Sequence, residues 1–325
     1  MFESVLSFIE RHQSIVLTTH DFPDADGLGA ELVLAFIIKK NAEKDFRIIN
    51  ASPVPVNLKF IEDCSSIEKY DKEKHSTFLE KSGMMLLDTS DMNHLGSIKE
   101  AAEKAKEIFI FDHHESRLQS NTSGFIDTEA ASMSELAVEL ACHMKVDLDP
   151  KTATAAYAGI VYDSGFFAYP KTSIRTFKAA IRTLEWGASP NYIYRQLMEN
   201  SSYASILLQK QALLNLEFYA GKKIAVIVLR REDYEMTGAA FEEEARSIVN
   251  FPLKTKEVEI SILLKENHEG DIRCSLRSKG MINVSEIAKK FDGGGHFTAA
   301  GFRSSLSVEE ILEKILEFEP LLKLG

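Results

Sequence analysis

The stretch SIVLTTHDFPDADGLGA, residues 14–30, contains a short apolar run, a polar turn and the start of a helical pattern. After Ser14, the next five residues are apolar or β-branched, which is typical of a buried parallel strand. Between the strand and the helix stand His20, Asp24 and Asp26. Asp and Pro favour turns, and Asp26 could cap the helix. A metal site is the other interpretation, and the rest of the chain has to decide between the two.

Three later segments place similar residues at the ends of predicted elements. The apolar run at 84–91 carries Asp88, and the run at 107–116 ends in Asp112, His113 and His114. An Ala-rich helix predicted over 152–167 ends near Asp163. Further elements are a strand at 46–50 and a helix at 132–144, capped by Ser132 or Ser134.

Strands that alternate with helices predict an α/β fold with a parallel sheet and helices on both faces. Such a sheet binds ligands beyond the carboxyl ends of its strands. The clusters at 20–26, 88 and 112–114 all fall there, and this convergence indicates a site more strongly than any single cluster does.

The second half of the chain predicts a connector and a smaller α/β domain. Residues 173–220 have a mostly helical pattern, and a strand pattern restarts at 222–230. The segments 258–266 and 271–278 predict a hairpin. The remaining predicted elements are helices at 242–250, 284–291 and 307–318 and a glycine-rich loop at 293–302. We therefore predict a catalytic domain over 1–187, a helical connector over 188–220 and a substrate-binding domain over 221–325.

Composition narrows the class of function. A chain of 325 residues fits two domains, and its net charge of −11 argues against tight binding of long nucleic acid. A small phosphorylated ligand in a local basic pocket stays compatible with that charge. The scattered Cys64, Cys142 and Cys274 indicate a reducing compartment, so we expect a cytoplasmic protein. The first residues predict an amphipathic helix, and we expect no membrane span.

Carboxylates and imidazoles in this number suit Mn²⁺, Zn²⁺ or Fe²⁺. Two such ions about 3.5–4 Å apart could share one carboxylate, activate a water and neutralise charge on a phosphate. Taken singly, each motif has a plain structural alternative as a turn or a helix cap. Together, and in this order, the motifs predict a site with two divalent ions.

The C-terminal segment GGGH, residues 293–296, predicts an anion site of a different kind. Glycines let backbone amides approach an anion closely. Arg277 could bind a phosphate through two hydrogen bonds, and His296 could bind a phosphate or a terminal hydroxyl. A flexible turn is the alternative interpretation of the three glycines.

Six motifs together resemble the DHH phosphoesterase family, in its branch with a DHHA1-type C-terminal domain. They are HDFPDADGLG, LLDTSD, FDHHES, GIVYDSGFF, SLRSKGMINVSEIAKKF and GGGHFTAAGF. Within that branch the chain most resembles the bifunctional oligoribonuclease (nanoRNase) and pAp phosphatase group, which also includes dinucleotide and cyclic-dinucleotide phosphodiesterases. The resemblance implies a DHH domain followed by a DHHA1 domain, with Mn²⁺ as the usual metal.

The resemblance also implies roles for individual residues. The first metal ion would be bound by His20, Asp24 and Asp88, and the second by Asp26, Asp88, His113 and Asp163, with Asp88 shared. His114 would lie near the substrate phosphate, and Asp112 would orient an imidazole. The nucleotide end distant from the cut would be held by Arg277, Ser278, Gly293, Gly294, Gly295 and His296.

We therefore predict a metal-dependent phosphodiesterase that releases 5′-mononucleotides from short oligoribonucleotides or linear dinucleotides. Removal of the 3′-phosphate of adenosine 3′,5′-bisphosphate (pAp) would be a second activity. The alternatives are a cyclic-dinucleotide phosphodiesterase, a single-strand exonuclease of the same superfamily and a nucleotide-binding regulator without catalysis. The oligomeric state is open between a monomer and a homodimer.

Overall fold

The computed structural model describes residues 1–41, 44–115, 122–241, 245, 247–267 and 270–317. It divides into two compact units, Met1–Asn200 (unit 1) and Ser201–Gly325 (unit 2). The predicted connector over 188–220 spans this division, and the predicted domain boundaries stay a prediction. In the part of the chain that the structure describes, no helix is long and apolar enough to cross a membrane.

Unit 1 is built on a six-stranded parallel sheet in the order β3-β2-β1-β4-β5-β6. Its strands are β1 Ser14–Thr18, β2 Asp45–Asn50, β3 Ile67–Lys69, β4 Gly83–Leu87, β5 Glu107–Asp112 and β6 Ser123–Ile126. The strand order reverses between β1 and β4, and ligands of such sheets bind outside the carboxyl ends at that point.

Eight helices complete the described part of unit 1. They are α1 Glu3–Arg11, α2 Ala25–Asn41, α3 Lys72–Lys81, α4 Lys99–Ala102, α5 Met133–His143, α6 Pro150–Asp163, α7 Ile174–Glu185 and α8 Pro190–Met198. Short 3₁₀ turns lie at Val56–Leu58, Cys64–Ser66 and Met92–Ile98.

Polar side chains set the starts of several of these helices. Ser132 accepts a hydrogen bond from the Glu135 amide at 2.9 Å at the start of α5, and Asp149 accepts one from the Thr152 amide at 2.8 Å at the start of α6. These bonds satisfy amides that have no partner within the helix. Of the two capping serines that the sequence left open for α5, the structure selects Ser132.

The central strands β1 and β4 of unit 1 bury both of their faces. Successive residues of a strand point to opposite faces, so Met85 packs in one core and Met84 in the other. The first core contains residues of α1, α2, α5 and α6, and the second contains residues of α3 and α4. Helices therefore cover both faces of the parallel sheet, which confirms the predicted fold class.

Unit 2 contains a mixed six-stranded sheet in the order β11-β12-β10-β9-β8-β7. Its strands are β7 Leu216–Tyr219, β8 Ile224–Leu229, β9 Ile260–Glu266, β10 Ile272–Ser278, β11 Gly294–Gly295 and β12 Ala299–Ser304. Its described helices are α9 Tyr203–Leu214, α10 Arg231–Thr237, α11 Val284–Lys289 and α12 Val308–Leu316, with 3₁₀ turns at Ala220–Lys222, Ile248–Asn250 and Pro252–Lys254. Among the described strands of this sheet, β8 and β9 pair in parallel and the other neighbours pair antiparallel.

Two segments of unit 2 differ from the prediction. The segment 293–302, predicted as a loop, contains the short strand β11 and the start of β12, because Gly294 pairs with Gly301. The segment 216–219, predicted as helical, is the edge strand β7 paired with β8. Part of the helix predicted over 242–250 lies outside the described residues. The hairpin of β9 and β10 is confirmed.

All three cysteines are free thiols, and they differ in exposure. Cys64 and Cys274 are buried, whereas Cys142 is exposed in the last turn of α5. Burial raises the pKa of the Cys64 thiol to about 12. The absence of disulfides is the thiol state that the sequence predicts.

Candidate metal centre

Four carboxylates and two imidazoles meet at the carboxyl edge of the sheet in unit 1. We call them the acidic cluster, and its members are His20, Asp24, Asp26, Asp88, His113 and Asp163. They form two groups, His20–Asp24–Asp88 and Asp26–His113–Asp163, and the ligand atoms within each group lie within 4.8 Å of one another. The structure thus brings together residues that are up to 143 positions apart in the sequence, from His20 to Asp163.

The first group surrounds the Nε2 atom of His20. This atom lies 3.7 Å from Asp24 Oδ2 and 3.6 Å from Asp88 Oδ2. The other ring nitrogen, Nδ1, is 3.0 Å from the Asp21 carbonyl oxygen. Since a carbonyl only accepts, Nδ1 carries the proton in the neutral ring and Nε2 presents its lone pair to the carboxylates.

Asp24 has one oxygen occupied and one directed at the cluster. Its Oδ1 accepts hydrogen bonds from the amides of Asp26 at 2.9 Å and Gly27 at 3.1 Å, at the start of α2. The helix cap that the sequence offered as an alternative is therefore present, but Asp24 supplies it instead of Asp26. The cap leaves Oδ2 of Asp24 facing His20, so capping and metal binding are compatible in one residue.

The second group surrounds the Nε2 atom of His113. This atom lies 3.2 Å from Asp88 Oδ1, 3.4 Å from Asp163 Oδ2 and 3.8 Å from Asp26 Oδ2. It is buried and makes no hydrogen bond. Its Nδ1 is 3.4 Å from the Ala130 carbonyl oxygen. Both imidazoles thus turn one nitrogen to a backbone carbonyl and the other to carboxylates, the arrangement that metal-ligating histidines commonly have.

Asp26 is completely buried at the start of α2 and reaches the N-terminus of α5. Its Oδ2 accepts from the Met133 amide at 2.6 Å, and its Oδ1 accepts from the Ser134 amide at 2.8 Å. The first amides of a helix favour a negative group. Two helices therefore hold this carboxylate in place.

Asp88 belongs to the first group and also lies beside His113 of the second. It follows β4 directly, with one oxygen near His20 and the other near His113. Its φ of 60° lies in the left-handed region, where Asp and Asn are the tolerated non-glycine residues. The left-handed backbone at the end of β4 thus places the carboxylate of Asp88 between the two groups of ligands.

His114 and Asp112 form a separate pair beside the cluster. Asp112 Oδ1 accepts from His114 Nδ1 at 2.8 Å and from the amides of His113 and His114. The predicted orienting carboxylate is therefore bonded to the ring of His114, while the ring of His113 is oriented by Ala130. The His114 side chain is 55% exposed, so its ring is accessible to a substrate.

The acidic cluster has two more carboxylates than imidazoles, and this excess shifts its pKa values. Burial lowers the pKa of His20, but Asp24 and Asp88 outweigh burial and raise it to about 11. Burial raises the pKa of Asp26 well above its usual value and that of Asp163 to about 6. Burial would also raise the pKa of Asp88, but His113 and His20 lower it. Cation binding here must displace protons from the imidazoles.

The donor set fits divalent cations. The buried Nε2 of His113 has no hydrogen-bond partner, and the carboxylates near it exceed the positive charge that the imidazoles can supply. Neutral imidazole and carboxylate oxygen are ligands of Mn²⁺, Zn²⁺ and Fe²⁺. The acidic cluster can therefore bind metal.

The predicted substrate-binding residues all lie in unit 2, at one end of its sheet. Arg277 pairs with Ala299 in the register of β10 and β12, and the His296 amide donates to the Ala299 carbonyl at 2.7 Å. Gly294, Gly295 and His296 are exposed. Ser278 is buried, and its hydroxyl donates to the Ile282 carbonyl at 2.7 Å. This internal bond indicates that Ser278 fixes the turn after β10.

Sequence reasoning missed several residues that build the site. The Nζ of Lys171 donates to the His113 carbonyl at 3.3 Å, and no carboxylate of the described residues forms an ion pair with it. Asn50 at the end of β2 accepts from the Thr19 amide at 3.1 Å and donates to Glu31 at 3.0 Å, behind the turn that carries His20. A buried Glu within the apolar helix 27–40 was the available signal for this network.

Residues 14–160 match the family described as "DHH family, N-terminal domain", and residues 221–319 match the "DHHA1 domain". The probable bifunctional oligoribonuclease and PAP phosphatase NrnA of Streptococcus mutans is 26% identical, with 99% of each chain covered. The cyclic-di-AMP phosphodiesterase GdpP of Bacillus subtilis is 26% identical over 94% of this chain and 47% of its own.

Among solved structures, an exopolyphosphatase-related protein from Bacteroides fragilis has a similar fold. Its TM-score is 0.91 at 25% identity, and the match covers 99% of this chain and 97% of that one. Both units of the chain are thus similar in order and in fold to known proteins.

Proposed function

The chain belongs to the DHH family and carries a DHHA1 domain, and on that premise we propose that it is a metal-dependent phosphodiesterase of short oligoribonucleotides. Its products are 5′-mononucleotides, and it also removes the 3′-phosphate of pAp. The similarity to an oligoribonuclease and PAP phosphatase over nearly the whole of both chains supports this choice of substrates.

The observation that carries the proposal is the sharing of Asp88 between two groups of ligands. One group contains His20 and Asp24, and the other contains His113, Asp26 and Asp163. When bound, two Mn²⁺ ions would supply an activated water and neutralise charge that develops on the phosphate. The residues of the acidic cluster hold these ions, and the backbone carbonyls of Asp21 and Ala130 keep the imidazoles in the ligating tautomer.

Two residues beside the cluster act on the substrate phosphate. The Nδ1–H of His114 donates a hydrogen bond to Asp112. The Nε2 atom is then left for a proton transfer or a hydrogen bond at a phosphate oxygen. Lys171 supplies a positive charge next to the His113 backbone, and a lysine ammonium binds phosphate as a point charge. Together, His114 and Lys171 reduce the repulsion between the negative charge of the acidic cluster and an anionic substrate.

We assign Arg277, Gly293, Gly294, Gly295 and His296 to the terminal phosphate of the substrate. Arg277→Ala is expected to raise KM for substrates with a terminal phosphate and to leave kcat nearly unchanged, the signature of lost ground-state binding. Steady-state kinetics on pApA and on unphosphorylated ApA measure the difference. An equal rise in KM for both substrates would contradict the assignment.

A length series of 5′-labelled oligoribonucleotides, from two to about twenty nucleotides, tests the proposed function. The protein is incubated with each in Mn²⁺ and, in parallel, with excess chelator. We expect rapid release of mononucleotide from the shortest substrates, slow loss of the longest, and no turnover with chelator. Release of phosphate from pAp measures the second activity.

Asp45→Asn is the matched control for variants of the acidic cluster. Asp45 is an exposed carboxylate at the start of β2, at the opposite edge of the sheet. It should retain full activity. Binding of pApA without turnover in any divalent metal would favour the nucleotide-binding regulator and refute the phosphodiesterase.

A cyclic-dinucleotide phosphodiesterase is a second candidate, and one observation favours it. The similarity to a cyclic-di-AMP phosphodiesterase extends over 94% of this chain. Including cyclic di-AMP and the linear pApA in the same assay separates the two functions. Faster turnover of cyclic di-AMP than of pApA would show that the cyclic dinucleotide is the preferred substrate. The cytoplasmic location, the preference for Mn²⁺ and a homodimer stay predictions.

A further inference from the structure

Phe22 stands between two members of the acidic cluster and has an unfavourable backbone conformation. Its φ is 55°, in the left-handed region that bulky L-residues rarely adopt. It also precedes Pro23, and a proline ring restricts the conformation of the residue before it. A phenylalanine at this position therefore carries strain from two sources.

The surrounding turn holds this backbone in place. The Phe22 amide donates to Asp21 Oδ1 at 3.0 Å, and the Asp21 amide donates to the His94 carbonyl at 2.6 Å. The hydroxyl of Ser52 also donates to Asp21 Oδ1. The same turn presents the Asp21 carbonyl to His20, so the position of the metal-binding imidazole depends on this conformation.

The conformation alone does not account for the aromatic side chain. A glycine would adopt a φ of 55° without steric cost. Phe166 and Phe167 also have positive φ values, but both pack against the core of unit 1, and the ring of Phe167 stacks on Phe177 at 4.8 Å. Phe22 is 67% exposed, and it pairs with no aromatic ring of the described chain. Its side chain is thus mostly exposed to solvent.

The location of Phe22 indicates what the ring could contact. Phe22 is two positions from His20 and two from Asp24 along the chain, and a step of two residues spans at most about 7 Å. A phosphodiester held at the acidic cluster would bring an attached nucleoside within reach of this ring. A flat, apolar and exposed ring stacks on the face of any nucleobase, without sequence preference.

We propose that Phe22 is the stacking platform for the nucleobase next to the cleaved phosphate, an inference that rests on the proposed function. The metal centre would bind the phosphate and Phe22 the base. The platform would let the enzyme distinguish nucleotide diesters from phosphate esters without a base.

Three variants of Phe22 test the platform. Phe22→Leu keeps an apolar side chain without a flat ring, Phe22→Gly removes the ring and relieves the strain, and Phe22→Tyr keeps the ring. Because the Leu and Gly variants lose the stacking of the ring on the base, we expect them to raise KM for pApA by roughly 5- to 100-fold at nearly constant kcat. The Tyr variant should remain near the wild type. Tyr203→Ala, which removes an 80% exposed ring in unit 2, is the control.

An abasic analogue of pApA with the same phosphates separates stacking from damage to the metal site. The Leu and Gly variants should hydrolyse this analogue as the wild type does, which also shows that they are folded. An equal loss on both substrates would overturn the inference, since the turn would then serve only His20. Wild-type KM values for pApA in both variants would overturn it as well.

A fluorescence measurement keeps the inference separate from the proposed function. A hydrolysis-resistant dinucleotide with 2-aminopurine next to the linkage is titrated with protein and Mn²⁺. Quenching by the wild type and the Tyr variant, but not by the Leu and Gly variants, supports the platform even if no turnover occurs. Equal quenching by all four proteins refutes the platform while leaving hydrolysis intact.

Discussion

At the scale of the residue, Asp88 unites two demands in one side chain. Its carboxylate faces both histidines of the acidic cluster, and its backbone has a φ of 60°. Replacement by alanine would combine the loss of a ligand with backbone strain. Asn tolerates the left-handed region, so Asp88→Asn removes the negative charge and leaves the turn in place.

We expect Asp88→Asn to lower kcat on pApA by several orders of magnitude while the thermal stability in chelator stays close to that of the wild type. The reason is that two dications would lose the carboxylate between them and repel each other. Calorimetric titration with Mn²⁺ should find fewer or much weaker sites. Near-normal turnover would refute a shared ligand.

Glu31, which is not a member of the acidic cluster, gives a prediction on pH. Burial raises its pKa to about 8, although the hydrogen bond from Asn50 lowers it, and its Oε1 has no hydrogen-bond partner. The folded state keeps this proton to a higher pH than the unfolded state does. The contribution of Glu31 to stability is therefore highest below about pH 4.5 and falls as the pH rises toward 8, by at most about 5 kcal/mol.

Glu31→Gln should flatten this dependence. The free energy of unfolding, measured with denaturant in chelator at pH 5 and pH 8, should differ less between the two pH values in the variant than in the wild type. The exposed Glu103→Gln serves as the control. A wild-type pH dependence in Glu31→Gln would show that Glu31 is not the titrating group.

The residue types in the sequence predicted the members of the acidic cluster, but not the groups that orient their side chains. His20, Asp24 and Asp88 stand at the ends of apolar runs, where a parallel sheet gathers side chains. The carbonyl groups of Asp21 and Ala130 belong to the backbone, which every residue has. The residue types therefore do not show which carbonyl groups bind the imidazoles. The ligand assignment itself stays a prediction until a metal is titrated.

At the scale of the element, the contact of α2 with α6 depends on the absence of side chains. A Cβ built on Gly29 would lie 2.7 Å from the Ala155 carbonyl oxygen and 2.6 Å from Ser134 Oγ. A backbone oxygen cannot turn aside as a flexible side chain can. Gly29 thus allows the close approach of α2 and α6, the two helices that carry Asp26 and Asp163.

Gly29→Ala should therefore destabilise unit 1, although alanine is the better helix former by about 1 kcal/mol. Overpacking costs about 1–3 kcal/mol, so we expect a net loss of stability and weaker Mn²⁺ binding. Chemical unfolding and metal titration measure both. Gly294→Ala, where nothing lies within 4 Å of the new Cβ, is the stability control. A stabilised Gly29→Ala protein would refute the close contact.

Elements with strong periodicity were predicted, and short edge elements were not. Strands β1, β4 and β5 are mostly apolar runs buried over most of their length, so their composition identifies them. Strands β3, β7 and β11 contain two to four residues each. Their pairing depends on the neighbouring strand more than on their own residues, which single-sequence patterns do not record.

At the scale of the whole molecule, each unit has a core of its own and only unit 1 carries the acidic cluster. A ligand that binds the folded state raises its stability by about 2.7 kcal/mol at one hundred times the dissociation constant. For a unit of this size, the melting temperature then rises by about 5–10 °C.

Scanning calorimetry in chelator and in Mn²⁺ should therefore show two unfolding transitions, of which only that of unit 1 moves. Asp88→Asn should abolish the shift, and Asp45→Asn should retain it. An equal shift of both transitions would show that the units unfold together or that unit 2 also binds the metal.

The order of the motifs along the chain predicted two units with different tasks, since the acidic cluster ends before residue 164 and the glycine-rich segment begins at 293. The boundary between the units was harder to predict. Helices α8 and α9 follow each other closely in the chain, yet the division falls between them, at Asn200 and Ser201. Which core a surface helix joins is decided by its neighbours in space.

The exposure of Cys142 gives experimenters a natural attachment point. The other two thiols, Cys64 and Cys274, are buried, so a maleimide dye should label the native protein at one position on α5. The acidic cluster contains no sulfur ligand, and alkylation should leave turnover unchanged. Unit 1 can thus carry a fluorophore at a known position without an engineered cysteine.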